Sequence, residues 1–247
     1  MESLDVRRFY CPQLVRIPGA PVRRAIDLDP QESRHATTVV RVDVGEAVEL
    51  FDGHGAVAEA TVASVHRDCV TVMVTQVEIV PPVQPRVEVA TALPKGPRVA
   101  TMVQMLSQIG ADALIPLRSR RGVVAADRVN RVRLQRVAIE AAKQCGRPHL
   151  LEIESAISLE EALARPSDLT LIGTVEGTVA SRPPEGLGAA QHVMILIGPE
   201  GGWTEDEVAC ARKAGAVAWA CGPYVMRIET ACAAAVSIVR YLGRENM

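Results

Sequence analysis

The fold is decided by one stretch, Val193-Met-Ile-Leu-Ile-Gly-Pro-Glu-Gly-Gly-Trp-Thr-Glu-Asp-Glu207. It begins with a run of apolar residues, as expected of a strand that is buried on both faces of a parallel sheet. Glycines follow this run. Thr204 and Glu207 then form a capping box, which is the sequence signature of a helix N-terminus. The stretch therefore predicts a strand, a glycine-rich loop and a helix, the repeating unit of an α/β domain.

The same alternation of strands and helices extends outward from this stretch in both directions. Short apolar runs indicate strands, and apolar residues spaced three and four apart indicate helices. Gly215 is a typical residue just past a helix end. Repeated units of this kind predict an α/β domain with a mainly parallel sheet. The predicted strands span 87–92, 113–117, 169–172, 193–197 and 216–220, and the predicted helices span 98–110, 127–145, 158–165, 204–214 and 228–243.

The first eighty residues have a different character. Runs rich in β-branched residues at 46–51, 56–62 and 70–77 predict strands, and Asp52-Gly-His-Gly55 predicts a hairpin turn between the first two. The run Pro81-Pro82-Val-Gln-Pro85 can continue neither a ladder nor a helix, so it is the expected linker. We therefore expect a small β-barrel-like domain over residues 1–80 and the α/β domain over 86–247.

Composition excludes several classes of protein. The chain is 48% hydrophobic but only 3% aromatic, so its core depends on Val, Ala, Leu and Ile. No apolar run is long enough to span a bilayer, and the first residues lack the apolar region of a signal peptide. We therefore expect a cytoplasmic protein with no membrane partner. The six cysteines and five histidines lack metal-ligand spacing, so no metal is expected.

Arginine is concentrated in two stretches although the net charge is only −2. Seven arginines and one acid, Asp127, lie between residues 118 and 136, and seven more arginines lie within residues 7–41. Arginine binds phosphate through a planar fork of donors. A solvated helix face is the alternative explanation of the 118–136 stretch. Two separate stretches favour a polyanionic partner.

Three predicted strand ends are followed by unusual loops, at 172–177, 197–203 and 221–231. Ligands of open α/β sheets bind at the carboxyl ends of the strands. Glycines let the backbone approach a ligand closely, although the second loop alone also fits an ordinary strand-to-helix turn. Its glycines, at 198, 201 and 202, do not match the dinucleotide fingerprint, and the chain has no phosphate-loop motif. These differences argue against ordinary dinucleotide and nucleoside-triphosphate sites.

Two of these loops together resemble the RsmE family, whose members methylate N3 of a uridine in 16S ribosomal RNA. The resemblance is carried by Gly198-Pro-Glu-Gly-Gly202 and by Cys221-Gly-x-x-Val-Met-Arg-x-Glu-Thr-Ala231. It extends over nearly the whole chain. Further matches are Arg7-Arg-Phe9, His35 through Arg41, Leu50-Phe-Asp-Gly53, Leu93-Pro-Lys-Gly96 and Glu140-Ala-Ala-x-Gln-x-x-Arg147.

The resemblance implies a fold and partners that composition does not reveal. It implies a SPOUT-type parallel sheet with a C-terminal trefoil knot, preceded by a PUA-like β-barrel that binds RNA. Knots are rare exceptions to the usual topology rules. The resemblance also implies S-adenosyl-L-methionine as cofactor, a homodimer, and 16S ribosomal RNA within the small ribosomal subunit as substrate.

The resemblance further implies roles for individual residues. Arg227 is the first candidate for catalysis, because a positioned cation stabilises the anion left when uridine N3 loses its proton. Glu229 either assists proton removal, orients Arg227, or serves only as an acid at a helix N-terminus. The implied RNA contacts are Arg7, Arg8, Arg41, Lys95, Arg121 and Arg147. The implied cofactor contacts are Leu171, Ile172, Gly173, Ile197, Gly198, Pro199, Glu200, Gly201, Gly202, Cys221, Gly222, Val225, Met226 and Thr230. Thr230 is equally compatible with helix capping, and Glu200 with holding the glycine loop.

The chain departs from the family pattern at a few positions. Met105 and Gln108 stand where the family usually has Lys and Glu, Lys143 replaces a Glu, Tyr224 an Arg, and Cys221 a Leu. The glycines, Arg227 and Glu229 are unchanged. Two alternatives therefore remain open. One is a SPOUT methyltransferase that acts on another RNA site, including a ribose 2′-hydroxyl. The other is a dimeric RNA-binding protein without catalysis.

Overall fold

The computed structural model describes residues 6–14, 24–174 and 184–243, which form two compact units. The first unit comprises residues up to Pro82 together with Ala142–Leu150, and the second comprises Val83–Ala141 and the chain from Leu151 onward. The expected domains, 1–80 and 86–247, differ from this division because Ala142–Leu150 belongs to the first unit. Among the described residues, every helix is too short or too polar to cross a membrane.

The first unit is built on a five-stranded sheet in the order β1-β3-β4-β5-β2. The pairing of β1 with β3 is parallel, and the other pairings are antiparallel. The predicted strands and the hairpin turn at 52–55 are confirmed, and β4 and β5 are longer than predicted. The strands are β1 Arg7–Tyr10, β2 Arg24–Asp27, β3 Ala47–Phe51, β4 Ala56–His66 and β5 Cys69–Ile79, and helix α1 Pro30–Arg34 continues into a π-helical turn at His35–Val40.

Hydrogen bonds and an ion pair, formed by buried charged side chains, hold the segment Ala142–Leu150 in the first unit. The guanidinium of Arg8 donates to the carbonyls of Ala142 and Arg147, each at 3.0 Å. Lys143 Nζ lies 3.1 Å from both carboxylate oxygens of Glu32. These side chains are only 7% and 2% exposed, so the pair is shielded from water. Lys143, a departure from the family pattern, is thus matched by a buried acid.

Lys143→Met should lower the stability of the first unit substantially. Methionine replaces the aliphatic part of lysine but removes the buried cation that faces the Glu32 carboxylate, and breaking a buried pair on one side costs about 3–5 kcal/mol. Urea denaturation followed by circular dichroism measures the change. Lys213→Met is the matched control, because Lys213 is exposed. A loss below about 1 kcal/mol, as for an exposed pair, would contradict the structural role.

The second unit contains a parallel sheet in the order β12-β10-β11-β6-β7-β8, with β9 paired to β7. Every pairing in it is parallel, as predicted from the alternation of strands and helices. The strands are β6 Arg86–Thr91, β7 Ala113–Arg118, β8 Glu152–Ile153, β9 Ile157–Ser158, β10 Leu169–Gly173, β11 His192–Ile197 and β12 Val217–Trp219. The helices are α2 Arg98–Ile109, α3 Arg131–Cys145, α4 Leu159–Leu163, α5 Glu205–Lys213 and α6 Ile228–Gly243. Only the part of α3 up to Ala141 belongs to this unit.

Aliphatic side chains bury both faces of this sheet. On one face, strand residues such as Val89 and Leu171 pack with Leu106 of α2 and Val236 of α6. On the other face, strand residues such as Ile115 and Ile172 pack with Leu159 of α4 and Ala211 of α5. Packing on both faces explains why the strand sequences are continuous apolar runs, since each strand needs apolar residues on both of its sides.

Helix α3 begins at Arg131 and not near residue 127 as predicted. The side chain of Asn130 accepts a hydrogen bond from the backbone N–H of Arg133 at 2.9 Å. This is the geometry of an N-cap, which satisfies a donor that the first helical turn leaves free. Residues 126–128 form a separate 3₁₀ turn.

Arg240 anchors the last turn of α6 to the amino-terminal edge of the sheet. Its guanidinium pairs with Asp112 at 2.6 Å and donates to the carbonyls of Val83, Pro85 and Gly110. The arginine side chain is 8% exposed and that of Asp112 15%. Asp112 also accepts from the N–H of Val87 at 2.7 Å. One buried cation thus joins the final helix, the start of β6 and the end of α2.

Candidate functional site

Three neighbouring strands end at the same edge of the parallel sheet. In the register, Gly173 of β10 lies beside Trp219 of β12, and Ile172 lies beside Leu196 of β11. Because all pairings are parallel, the loops that follow these strands leave the sheet on one side. The structure therefore brings the starts of the three predicted loops to one edge. Residues 175–177 of the first loop lie outside the described residues.

The glycine-rich loop 198–202 is a tight turn that packs against an aromatic ring. Gly202 adopts a φ of +70°, and its N–H donates to the carbonyl of Pro199 at 2.8 Å. A Cβ atom at Gly198 would lie 2.9 Å from the ring of Trp203, so a larger residue does not fit there. Trp203 Nε1 donates to the carbonyl of Gly173 at 2.9 Å. The indole thus ties the second loop to the end of β10.

Arg121 also forms hydrogen bonds to this loop. Its Nη1 donates to the carbonyl of Gly201 at 3.0 Å and to that of Trp203 at 3.3 Å. Arg121 is also a predicted contact for an RNA phosphate, and its guanidinium here contacts the candidate cofactor loop. The arginine remains largely exposed.

The predicted cofactor residues differ in what they present to this edge. The side chains of Leu171 and Ile172 are fully buried in the cores on opposite faces of the sheet, so these residues could line a site only through their backbone. Pro199 is also buried, whereas Glu200 and Thr230 are exposed. The glycine loop accordingly offers mainly backbone groups to a ligand.

The third loop, 221–227, projects from the protein before α6 begins. Tyr224 and Val225 are 84% and 77% exposed. A Cβ atom at Gly222 would lie 3.1 Å from Met226 Cε, so the loop is compact at its base. Burial raises the pKa of the Cys221 thiol. A thiol in that state is a poor nucleophile, which argues against cysteine chemistry at this edge.

Arg227 occupies an electrostatically unfavourable position. Its carbonyl accepts the first hydrogen bond of α6, from Ala231 N at 2.8 Å, so it precedes the helix directly. Its side chain is exposed, and no carboxylate of the described part of the chain pairs with it. The N-terminus of a helix carries partial positive charge and favours acids over cations. Helix stability therefore does not explain an arginine here, whereas it does favour Glu229 two residues later.

Arg98, at the start of α2, joins the glycine loop to α6. Its Nη2 lies 3.4 Å from Glu200 Oε1, and its Nη1 lies 3.6 Å from Glu229 Oε1. Arg98 is not among the predicted site residues. Arg98 lies two residues after Leu93-Pro-Lys-Gly96, which matches the family pattern, and this proximity is the sequence signal that could have identified it.

Three polar atoms near this edge are buried and have no hydrogen-bond partner within the described ranges. They are Thr174 Oγ1, Trp219 Nε1 and Glu229 Oε2. Buried polar groups in native proteins are nearly always paired, so each unpaired one requires an explanation. A bound ligand with its own donors and acceptors would satisfy them. Thr174 and Trp219 are not among the predicted site residues, because Thr174 follows an apolar strand, Trp219 ends one, and neither belongs to a polar pattern.

The predicted RNA contacts differ in how exposed their side chains are and in whether an acid pairs with them. Arg8 is only 7% exposed; it pairs with Glu49 and stacks on the Phe51 ring at 4.4 Å. The structure thus gives Arg8 a packing role within the first unit, and its phosphate contact stays a prediction. Arg7 is partly exposed but pairs with Glu46 at 2.8 Å. Arg41 and Lys95 are exposed, and Arg147 is half-buried.

The arginine-rich stretch 118–136 is partly neutralised by neighbouring acids and carbonyls. Arg118 pairs with Asp127 and Glu161, and Arg120 pairs with Asp206. These contacts reduce the charge available to a polyanion. The arginines at 128, 133 and 136 are exposed, and no ion pair to them is found within the described ranges. In the portion of the chain that the structure describes, no cluster of three His, Cys, Asp or Glu side chains could hold a metal ion.

Comparisons with known proteins match both units. A family model described as the RNA methyltransferase domain matches residues 82–240, and one described as the RNA methyltransferase PUA domain matches residues 28–72. The ribosomal RNA small subunit methyltransferase E of Mycobacterium tuberculosis is 34% identical over 224 residues, covering 87% of this chain and 86% of the relative. The protein of that name from Bacillus subtilis is 28% identical over 226 residues, covering 85% and 88%.

A solved structure agrees with these relatives. The crystal structure of a ribosomal RNA small subunit methyltransferase E from Neisseria gonorrhoeae, bound to S-adenosyl methionine, superposes with a TM-score of 0.85. It is 26% identical, and the match covers 96% of this chain and 98% of that chain.

Proposed function

The chain belongs to the RNA methyltransferase family that includes ribosomal RNA small subunit methyltransferase E, and from this premise we propose its reaction. We propose that it transfers the methyl group of S-adenosylmethionine to N3 of a uridine in 16S ribosomal RNA. The observation that carries this proposal is that the three loops begin at one edge of the sheet. Beside them is an exposed arginine, Arg227, that does not stabilise the helix it precedes.

The residues at this edge fit the cofactor. S-Adenosylmethionine carries an adenine, ribose hydroxyls, a carboxylate and an ammonium group, all of which need hydrogen-bond partners when buried. The backbone of Gly173, of loop 197–202 and of loop 221–226 would hold the adenosyl part. Trp219 Nε1 and Thr174 Oγ1 are buried and have no hydrogen-bond partner among the described residues, so they would supply further groups for it. The sulfonium of the cofactor supplies an already activated methyl group.

The chain's own residues must lower the cost of removing the uridine N3 proton. Arg227 would stabilise the negative charge that develops on the base, as preorganised cations do at sites of developing charge. Glu229 lies in the first turn of the helix that Arg227 precedes, and it would accept the proton or orient the arginine. Neither role requires a metal.

A homodimer is supported by two uncharged helix faces. The only charged residues of α6, Glu229 and Arg240, are buried, and the only charged residue of α2 is Arg98. Met105 and Gln108, where the family usually has Lys and Glu, extend the uncharged face of α2. The exposed residues of the two faces are Thr101, Gln104, Gln108, Thr230, Ser237 and Tyr241. Sedimentation equilibrium tests this assignment, and a monomeric mass would refute it.

The remaining elements of the proposal follow from the family. The final strands and α6 would form a trefoil knot, with the site held in its loops. The first unit would bind RNA as a PUA-like barrel, with exposed Arg41 as a phosphate contact. The substrate would be 16S ribosomal RNA within the small ribosomal subunit.

Nucleoside analysis tests the reaction. Small ribosomal subunits from cells that lack this gene, and 16S RNA extracted from them, are incubated with the protein and methyl-labelled S-adenosylmethionine. We expect 3-methyluridine after complete digestion. A 2′-O-methylated nucleoside in its place would support another target site. Absence of both methyl transfer and calorimetric cofactor binding would support the non-catalytic alternative.

A further inference from the structure

One guanidinium connects three elements of the candidate site. Arg98 is the first residue of α2, Glu200 lies in the glycine loop, and Glu229 lies in the first turn of α6. The Arg98 nitrogens lie 3.4 Å from Glu200 Oε1 and 3.6 Å from Glu229 Oε1. The arginine side chain is 32% exposed, and that of Glu229 is 10% exposed. The contact with Glu229 is therefore the more shielded of the two.

The two oxygens of Glu229 have different surroundings. Oε1 faces the cation, whereas Oε2 is buried and has no hydrogen-bond partner in the described part of the chain. An ionised carboxylate away from water is strongly unfavourable unless a nearby opposite charge compensates it. Arg98 supplies that charge on the side of Oε1. Oε2 is consequently the oxygen left for a donor from outside the residues that the structure describes.

We propose that Arg98 is a positioning residue for methyl transfer, which acts by holding Glu229 in place. This inference rests on the proposed function of the site. Arg98 also contacts Glu200, and it thereby connects the Glu229 carboxylate to the glycine loop. The loop and Glu229 are thus held in one fixed arrangement. Small errors in the placement of a reacting group cost large factors in rate. The structure thus adds to the site a residue that is expected to touch neither the cofactor nor the base.

A direct contact with an RNA phosphate is the competing role for Arg98. Both of its terminal nitrogens already face carboxylates, so a phosphate would have to displace one of them. The neighbouring Lys95 is exposed and is the better phosphate contact. The geometry therefore favours positioning.

A double-mutant cycle separates the two roles. The variants are Arg98→Gln, Arg98→Lys, Glu229→Gln and the double variant Arg98→Gln/Glu229→Gln, with Arg212→Gln as a control at an exposed arginine in the last turn of α5. We expect Arg98→Gln to lower kcat about 10–100-fold, with the KM for RNA and the cofactor Kd changed less than about threefold. Arg98→Lys keeps the charge and should restore most of the rate. The double variant should be no slower than Glu229→Gln, because Arg98 acts through Glu229.

Three results would overturn the inference. They are multiplicative losses in the double variant, a raised KM for RNA with unchanged kcat in Arg98→Gln, or a wild-type rate in Glu229→Gln. Thermal unfolding of each variant verifies the fold, and Arg98→Lys keeps the test valid if Arg98→Gln is unfolded. Failure of the proposed function would look different, since the wild-type protein would then transfer no methyl group in the same assay.

Discussion

Arg227→Ala is expected to abolish most methyl transfer while cofactor binding persists. Removal of one preorganised group that stabilises developing charge typically costs about 10²–10³ in kcat. The Arg227 side chain is exposed, and no ion pair to it is found in the described ranges, so its loss removes no structural contact observed there. Single-turnover transfer to small-subunit RNA measures the rate, and calorimetry measures the cofactor Kd, which should change less than about threefold.

The same variant should be slightly more stable than the wild-type protein. A cation at the N-terminus of a helix opposes the helix dipole, so its removal should stabilise α6 by about 0.3–1 kcal/mol. Arg212→Ala is the matched control, because Arg212 is an exposed arginine in the last turn of α5, where a cation is favourable. That control should keep full activity and lose a little stability. An Arg227→Ala protein with wild-type activity would remove Arg227 from the mechanism.

Arg240→Met is expected to produce the largest loss of stability in the second unit. The substitution removes a buried ion pair with Asp112 and the donors to three carbonyls. Breaking one side of a buried pair costs about 3–5 kcal/mol, and buried carbonyls left without donors add to that loss. Urea denaturation monitored by circular dichroism gives the free energy of unfolding.

Two further proteins make this test specific. Arg212→Met removes an exposed arginine and should change the free energy of unfolding by less than about 0.5 kcal/mol. Arg240→Met/Asp112→Asn removes both charges of the buried pair and should recover part of the loss. If Arg240→Met were no less stable than Arg212→Met, the proposed anchoring of α6 would be incorrect.

Sequence patterns predicted the second unit well because its strands are apolar on both sides. Helix α6 was predicted at its observed limits, 228–243, since its apolar spacing is regular. The first unit was harder, because short strands such as β1 and β2 carry arginines and have no clear alternation. Helix α1 was missed, although Asp29 and Pro30 form a readable helix start. The fastening of Ala142–Leu150 to the first unit depends on contacts between residues far apart in the chain, which no local pattern reveals.

The candidate site could be predicted at the level of loops but not of side-chain partners. The glycine motif and the loop before α6 were visible in the sequence, and the resemblance pointed to Arg227. The assignments of Arg8 and Arg121 to phosphate could not be tested by sequence, because the groups they bind, Glu49 and the carbonyls of 201 and 203, are remote in the chain. Arg98 was overlooked for the same reason.

The placement of the indole rings has a practical consequence. The chain has only two tryptophans, and both lie at the candidate cofactor edge. Trp203 is hydrogen-bonded to the carbonyl of Gly173, and Trp219 is buried at the end of β12. Intrinsic fluorescence excited at the indole band will therefore report on this edge alone, without any attached dye. Quenching or an emission shift on titration with S-adenosylmethionine would follow ligand arrival in real time, and single Trp→Phe variants would assign the signal to one loop or the other.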